Sequence, residues 1–230
     1  MFSQAEVDKF NDLAHDWWNL DGQFKTLHQI NPARVEFIQR HANLTNSKLI
    51  DVGCGGGILA ESLAIAGAHV DAIDLAPQSI EIAQLHLYES NVKVNYECIE
   101  IAAKAQQNPE SYDVLTCMEM LEHVPSPEYI IAECAKLVKP GGMAFFSTLN
   151  RNFKSYALGV FAAEYLLNLV PKGTHDFKKF IRPAELRQIL HRNGFEVIAI
   201  NGINYNPFSQ NFGLSNNTDI NYLMACQKVC

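Results

Sequence analysis

Two acids around a run of glycines are the residues whose types and spacing could do chemistry. Leu49, Ile50 and Val52 form an apolar, β-prone run that ends in Gly53, Gly55, Gly56 and Gly57, four glycines within five residues. An apolar helical pattern follows at Ile58, Leu59, Leu63 and Ile65. Strand, tight turn and helix in that order make a ligand loop, because glycine lets the backbone turn sharply and approach a ligand closely. Gly53, Gly55 and Gly57 meet the first half of a dinucleotide fingerprint, and its final glycine is missing. Asp51 precedes the first glycine by two residues, where a diphosphate would meet a negative charge. S-adenosylmethionine has no phosphate and carries an ammonium and a sulfonium, either of which a carboxylate attracts. Asp74 ends the next apolar run, Val70 to Asp74, the place for a carboxylate that accepts hydrogen bonds from ribose hydroxyls. The pair favours S-adenosylmethionine over a nicotinamide nucleotide. The bland alternative makes Asp51 a turn cap and Asp74 the start of a loop.

A second group follows the expected fourth strand. Glu119, Glu122 and His123 stand where active-site loops of such sheets open. Placed on a helix, positions i, i+3 and i+4 share one face. Three such ligands could hold a divalent metal such as Mg²⁺, which lowers the pKa of a bound hydroxyl. His123 or His175 could instead act as general base without a metal, with Glu122 beside them. His175 lies in a loop with Lys172, Asp176 and Lys178. A lone histidine is more often structural, but loops positioned by a rigid scaffold carry function.

The elements that must position these groups read as an α/β chain. Strands are expected at about 48–52, 69–74, 92–97, 112–117 and 143–148, and helices at about 56–66, 77–89 and 126–138. Their alternation implies a parallel sheet with helices on both faces. Ser3 and Glu6 have the spacing of a capping box for a first helix, which runs through Phe10 toward Trp17 and Trp18. Asn31-Pro32 predicts the start of a second helix. Pro183 opens a later helix stopped by Asn193-Gly194, and the runs 195–203 and 220–226 are expected to pair as a hairpin at the sheet edge. The whole chain, 1–230, reads as a single domain: helices over 1–45, a cofactor-binding core over 46–150, a lid insertion over 151–182, and a helix and hairpin over 183–230.

Residues 156–170 are apolar nearly all round a helix, broken by Glu164 and Asn168, and too short to span a bilayer. Arg151 and Lys154 precede them, and Lys172, Lys178, Lys179 and Arg182 follow. Such a segment can lie in an anionic membrane surface or cover a buried pocket. The chain has a formal net charge of −7, which argues against general nucleic-acid binding. Six cysteines without a C-x-x-C pair read as reduced thiols in a cytoplasmic protein. The polar amino terminus does not read as a signal peptide.

Asp-Val-Gly-Cys-Gly-Gly-Gly at 51–57 resembles the class I S-adenosylmethionine-dependent methyltransferases. Four segments are more specific: Phe24–His28 with Asn31–Arg34, Thr116–Val124, Phe146–Asn152 and Val170–Asp176. Together they resemble the bacterial ubiquinone-biosynthesis O-methyltransferases over nearly the whole chain. That resemblance implies a Rossmann-like, mostly parallel, seven-stranded sheet whose last strand is antiparallel. It implies methylation of 2-polyprenyl-6-hydroxyphenol and of 3-demethylubiquinol, at or near the inner membrane surface and beside other proteins of that pathway. It implies cofactor contacts from Arg34, Gly53, Asp74 and Met118, to which Asp51 and Gly55 of the loop are added. Arg34 would pair with the methionine carboxylate, and Met118 would pack against adenine. A methyltransferase with a different small acceptor, a nicotinamide-dependent oxidoreductase and a non-catalytic cofactor-binding scaffold are the alternatives.

Overall fold

The computed structural model describes residues 3–152, 155, 177–206 and 211–229. Its elements in chain order are α1 (Gln4–Asp12), α2 (Lys25–His41), β1 (Lys48–Val52), α3 (Ile58–Ile65), β2 (His69–Asp74), α4 (Pro77–Ser90), β3 (Val94–Cys98), α5 (Ile101–Gln107), β4 (Tyr112–Cys117), α6 (Pro127–Leu137), β5 (Val138–Leu149), α7 (Pro183–Arg192), β6 (Phe195–Asn206), β7 (Asn211–Ser215) and β8 (Asn221–Lys228). Single 3₁₀ turns occur at Ala14–Asp16, Leu121–His123 and Phe177–Lys179.

The strands lie in the order β3-β2-β1-β4-β5-β8-β6-β7. The first five run parallel, and β8 runs antiparallel to both β5 and β6. The central strands are apolar on both faces because helices cover both. Successive side chains alternate between faces, which divides the core in two. Ile50, Leu115 and Phe146 pack with Ile130 and Leu137 of α6 and Leu186 of α7. Leu49, Val114 and Phe145 pack with Phe37 of α2 and Leu63 of α3. Chain order reverses between β1 and β4, which pair Leu49 with Val114 and Asp51 with Thr116. Ligands of open α/β sheets bind at the carboxyl ends beside such a reversal, and Asp51, Asp74 and the residues after Cys117 converge there.

Several expectations are corrected. Helix α2 begins at Lys25, so Pro32 lies inside it and Asn31 is not its cap. Asn31 is buried and donates to the Ile58 carbonyl at 3.2 Å and to Ser62 Oγ at 2.8 Å, so its polarity serves a contact with α3. Ser3 is the N-cap of α1 but makes no side-chain cap bond, and the Glu6 carboxylate turns away from it toward His123 and Lys179, so the helix starts where expected without the capping box. Helix α5 and strand β7 were not expected. Strand β7 pairs with β6 from Gly202 opposite Ser215 to Asn206 opposite Asn211. The described sheet therefore has eight strands rather than seven, and β8 sits between β5 and β6 rather than at the edge. Residues 156–176, including the expected apolar helix and His175, lie outside the described residues.

Candidate active site

One cavity of about 370 Å³ opens at the carboxyl ends of β1, β2 and β4, and it is lined by Arg34, Asp51, Gly53, Gly55, Asp74, Met118, Glu119, Glu122 and His123. The fold thus gathers every described candidate around one space. A smaller recess of about 100 Å³ continues beyond Asp74, between Leu75, Ile99, Ile101 and Met120. Met118 borders the cavity and not this recess, whereas Met120 borders both.

The glycine loop is shaped by what crowds it. Gly55 has φ +52°, and a Cβ there would lie 2.4 Å from the Trp17 ring. Gly57 has φ +88°, and its Cβ would lie 2.1 Å from the Tyr96 hydroxyl. Both positions need glycine, by backbone conformation and by space. Trp18 Nε1 donates to the Gly56 carbonyl at 2.9 Å, and Trp17 Nε1 donates to Ser79 Oγ at 3.1 Å. Trp17 also stacks on Phe24 with ring centroids 3.7 Å apart. The paired tryptophans therefore strap the segment before α2 across the loop.

The charged groups differ in how they are satisfied. The Asp74 carboxylate accepts from Gly55 N at 2.8 Å and Ala76 N at 2.9 Å. It holds the loop as well as facing the cavity, and burial raises its pKa. Asp51 is buried, accepts from Thr116 Oγ1 at 2.6 Å, and has its pKa raised to about 6 by burial. Arg34 is 4% exposed, and its Nε and one terminal nitrogen, Nη2, are buried without a hydrogen-bond partner. The Glu119 carboxylate stands 3.5 Å from that Nη2, an ion-pair distance without hydrogen-bond geometry. A buried guanidinium with donors to spare, facing a cavity, is a seat for a carboxylate. With the glycine approach and the free lone pairs of Asp74, these residues fit S-adenosylmethionine.

They do not fit a metal. Glu119 has φ +53°, so the chain at 119–123 is not one helix and the expected shared face does not form. Glu119 accepts from Ser147 Oγ at 2.8 Å, Glu122 accepts from Thr148 Oγ1 at 2.7 Å, and His123 Nδ1 faces Glu6 Oε2 at 3.3 Å. Among the described residues no cluster of three His, Cys, Asp or Glu could hold a metal ion. Glu122 is buried, and burial together with the Glu119 charge raises its pKa to about 7. Glu6 is held down to about 2, first by its hydrogen bond with His123. Sequence reading missed Glu6 here, because its spacing from Ser3 already had a local explanation. The adjacent tryptophans were visible, but nothing in the sequence tied them to the loop.

The fold and cavity define a methyltransferase of the class I architecture. A family model described as a methyltransferase domain matches residues 8–200. The magnesium protoporphyrin IX methyltransferase of Synechocystis PCC 6803, solved with bound SAH, superposes with a TM-score of 0.71 at 21% identity, over 96% of this chain and 97% of that one. The ubiquinone biosynthesis O-methyltransferase of Burkholderia pseudomallei (strain 1710b) is 54% identical over 97% of this chain and 96% of its own. That of Chromobacterium violaceum is 50% identical over 98% and 97%. The chain belongs to the family of ubiquinone biosynthesis O-methyltransferases.

Proposed function

We propose that this chain methylates the phenolic hydroxyls of polyprenylated ubiquinone precursors, acting on 2-polyprenyl-6-hydroxyphenol and again on 3-demethylubiquinol. The observation that carries the cofactor site is the buried Arg34 guanidinium, whose Nε and Nη2 lack hydrogen-bond partners and which shares its cavity with Asp74. When bound, S-adenosylmethionine supplies an electrophilic methyl group on its sulfonium. Arg34 binds the methionine carboxylate, Asp74 accepts from the ribose hydroxyls, and Gly53 and Gly55 admit the close approach. The apolar recess lined by Leu75, Ile99 and Ile101 suits the adenine, and Met118 packs nearer the methionine arm. Asp51 contributes negative charge near the ammonium and sulfonium.

The acceptor side is the end of the cavity that holds Glu122 and His123. Direct displacement requires the phenol oxygen to be aligned and its proton removed. Glu122 and His123 are the described groups placed to take it, and no step is assigned to a metal. His175 is a further candidate from the undescribed segment. Leu149, Phe212 and Ile220 make this end apolar, which suits a prenylated ring.

Polyprenyl acceptors reside in bilayers, so the enzyme works peripherally at the cytoplasmic face of the inner membrane, drawn by basic residues to anionic lipid and neighbouring pathway proteins. Among the described residues no helix is long and apolar enough to cross a membrane. The direct test is methyl transfer to a prenylated catechol by the isolated protein, with EDTA or with added Mg²⁺. Turnover in EDTA supports the reading. Preference for a soluble short-chain catechol points to another acceptor, and no turnover under either condition points to a scaffold.

A further inference from the structure

Helix α1 lines the cavity with Lys9 and Phe10 and the recess beside it with Glu6, which meets His123 where the two spaces join. Glu6 Oε2 lies 3.3 Å from His123 Nδ1, and Glu6 Oε1 lies 3.2 Å from Lys179 Nζ. Phe10, one turn further along α1, sets its ring edge-on to the imidazole at 5.4 Å. The ring of His123 thus meets a carboxylate 117 residues earlier in the chain and an aromatic ring one turn further along the same helix. Among the described residues, the other charged groups around His123 include Glu122 and Glu119 on its own loop, Lys179 beyond Glu6, and Lys9 on the cavity wall. His123 borders both the cavity and the recess.

A carboxylate on Nδ1 holds a neutral imidazole in the tautomer that carries its proton on Nδ1 and its lone pair on Nε2. We propose that Glu6 is a positioning residue, accepting from Nδ1 of His123 so that Nε2 is oriented to take the proton of the acceptor hydroxyl. The inference rests on the reading of His123 as proton acceptor. In the step, the phenol O–H bond breaks and its proton goes to Nε2. The oxygen forms the new bond to the methyl carbon, and sulfur keeps the electron pair of the broken S–C bond. The imidazolium, its Nδ1–H still directed at Glu6, returns the proton to solvent. Lys179 keeps the carboxylate pointed at the ring.

None of the residues of α1 is buried, so replacing Glu6 leaves the core intact. The test compares Glu6→Ala, Glu6→Gln, Glu6→Asp and His123→Asn in the full chain. It reads kcat and KM for a prenylated catechol, S-adenosylhomocysteine affinity by calorimetry, and the His123 tautomer by long-range ¹H–¹⁵N spectra. The expected result for Glu6→Ala is a fall in kcat of about tenfold or more, with unchanged cofactor affinity and a shift of His123 to the Nε2–H tautomer. Glu6→Asp should restore part of both. An unchanged tautomer, an unchanged kcat, or a loss of cofactor affinity that parallels the loss of kcat would overturn the positioning role; the last outcome would leave Glu6 as a pin for α1. If His123→Asn is inactive while Glu6→Ala is not, only this inference fails. If His123→Asn keeps full turnover, the reading of His123 as base fails with it.

Discussion

Arg34 sets the chemistry of this site at the residue scale. A guanidinium held out of water without full pairing destabilises the protein that carries it. An anionic ligand offsets that cost on binding, so the site is primed for a carboxylate. Replacing Arg34 by Met should weaken S-adenosylhomocysteine by about 10- to 100-fold, the range expected for losing a charged hydrogen bond of about 1.5–3 kcal/mol. The same variant should melt higher than the parent without ligand, because the buried charge is gone. Calorimetry and thermal melts check both, and an unchanged affinity would remove Arg34 from the site. Glu122 gives a pH-dependent counterpart. Its pKa rises from an ordinary 4.5 to about 7 on folding, so the folded state holds the extra proton between those values. The stability linked to that proton is fully present below pH 4.5 and is lost as pH rises through about 7. Glu122→Gln cannot ionise and still offers Thr148 an acceptor. It should melt higher than the parent at pH 8 and equally at pH 4. An equal gap at both pH values would mean that the charge is not the cause.

At the scale of elements, α1 is a loosely held roof over the cavity. Its nine residues include none that is buried, whereas α6 buries Ile130, Ile131, Glu133, Cys134 and Leu137. The ties of α1 include the Glu6 pairs, the Phe10 ring against His123 and Trp17, Ser79 Oγ donating to the Phe10 carbonyl at 3.5 Å, and Asn11 Oδ1 accepting from Gln78 N at 3.1 Å. Few buried contacts mean low local opening energy. The amides of α1 should therefore exchange with deuterium faster than those of α6. Saturation with S-adenosylhomocysteine should slow α1, because Phe10 and Leu13 line the cavity. Equal α1 exchange with and without ligand would show that the helix does not cover the cofactor.

At the scale of the whole molecule, charge is uneven. The chain carries a net −7, yet residues 177–182 read Phe-Lys-Lys-Phe-Ile-Arg with three basic residues and no acid. Basic residues near an anionic surface contribute about 1 kcal/mol each. Lys178, Lys179 and Arg182 replaced by Ser should weaken co-sedimentation with anionic vesicles, more at low salt than at high salt. The loss should fall short of three full contributions, because Lys179 already pairs with Glu6. Equal binding to neutral and anionic vesicles, or no loss in the triple variant, would sink the electrostatic attraction.

The sequence by itself determined the cofactor-binding half of the sheet. Bounds read for β1, β2 and β4 coincide with the observed strands, because strands of a parallel sheet with helices on both faces are rich in buried apolar residues, here Leu49, Ile50, Val52, Val70, Ala72, Ile73, Val114 and Leu115. Asp51, the glycines and Asp74 were legible for a similar reason: a tight loop at a strand end imposes its demands on neighbouring residues. The same local logic misled at Pro32, where a good helix-start signal lies inside a helix that begins seven residues earlier and packs Asn31 against α3. At Ser3 it found the helix start, but the capping box does not form and Glu6 points to His123 instead. Helix α5 and strand β7 left too short and too polar a trace to be seen. Only the tertiary structure decided that Arg34 would be buried without a full set of partners, that Glu119, Glu122 and His123 would diverge rather than form a metal site, and that Glu6 would reach His123. Those outcomes depend on which elements pack together across long stretches of chain, and no local spacing records that.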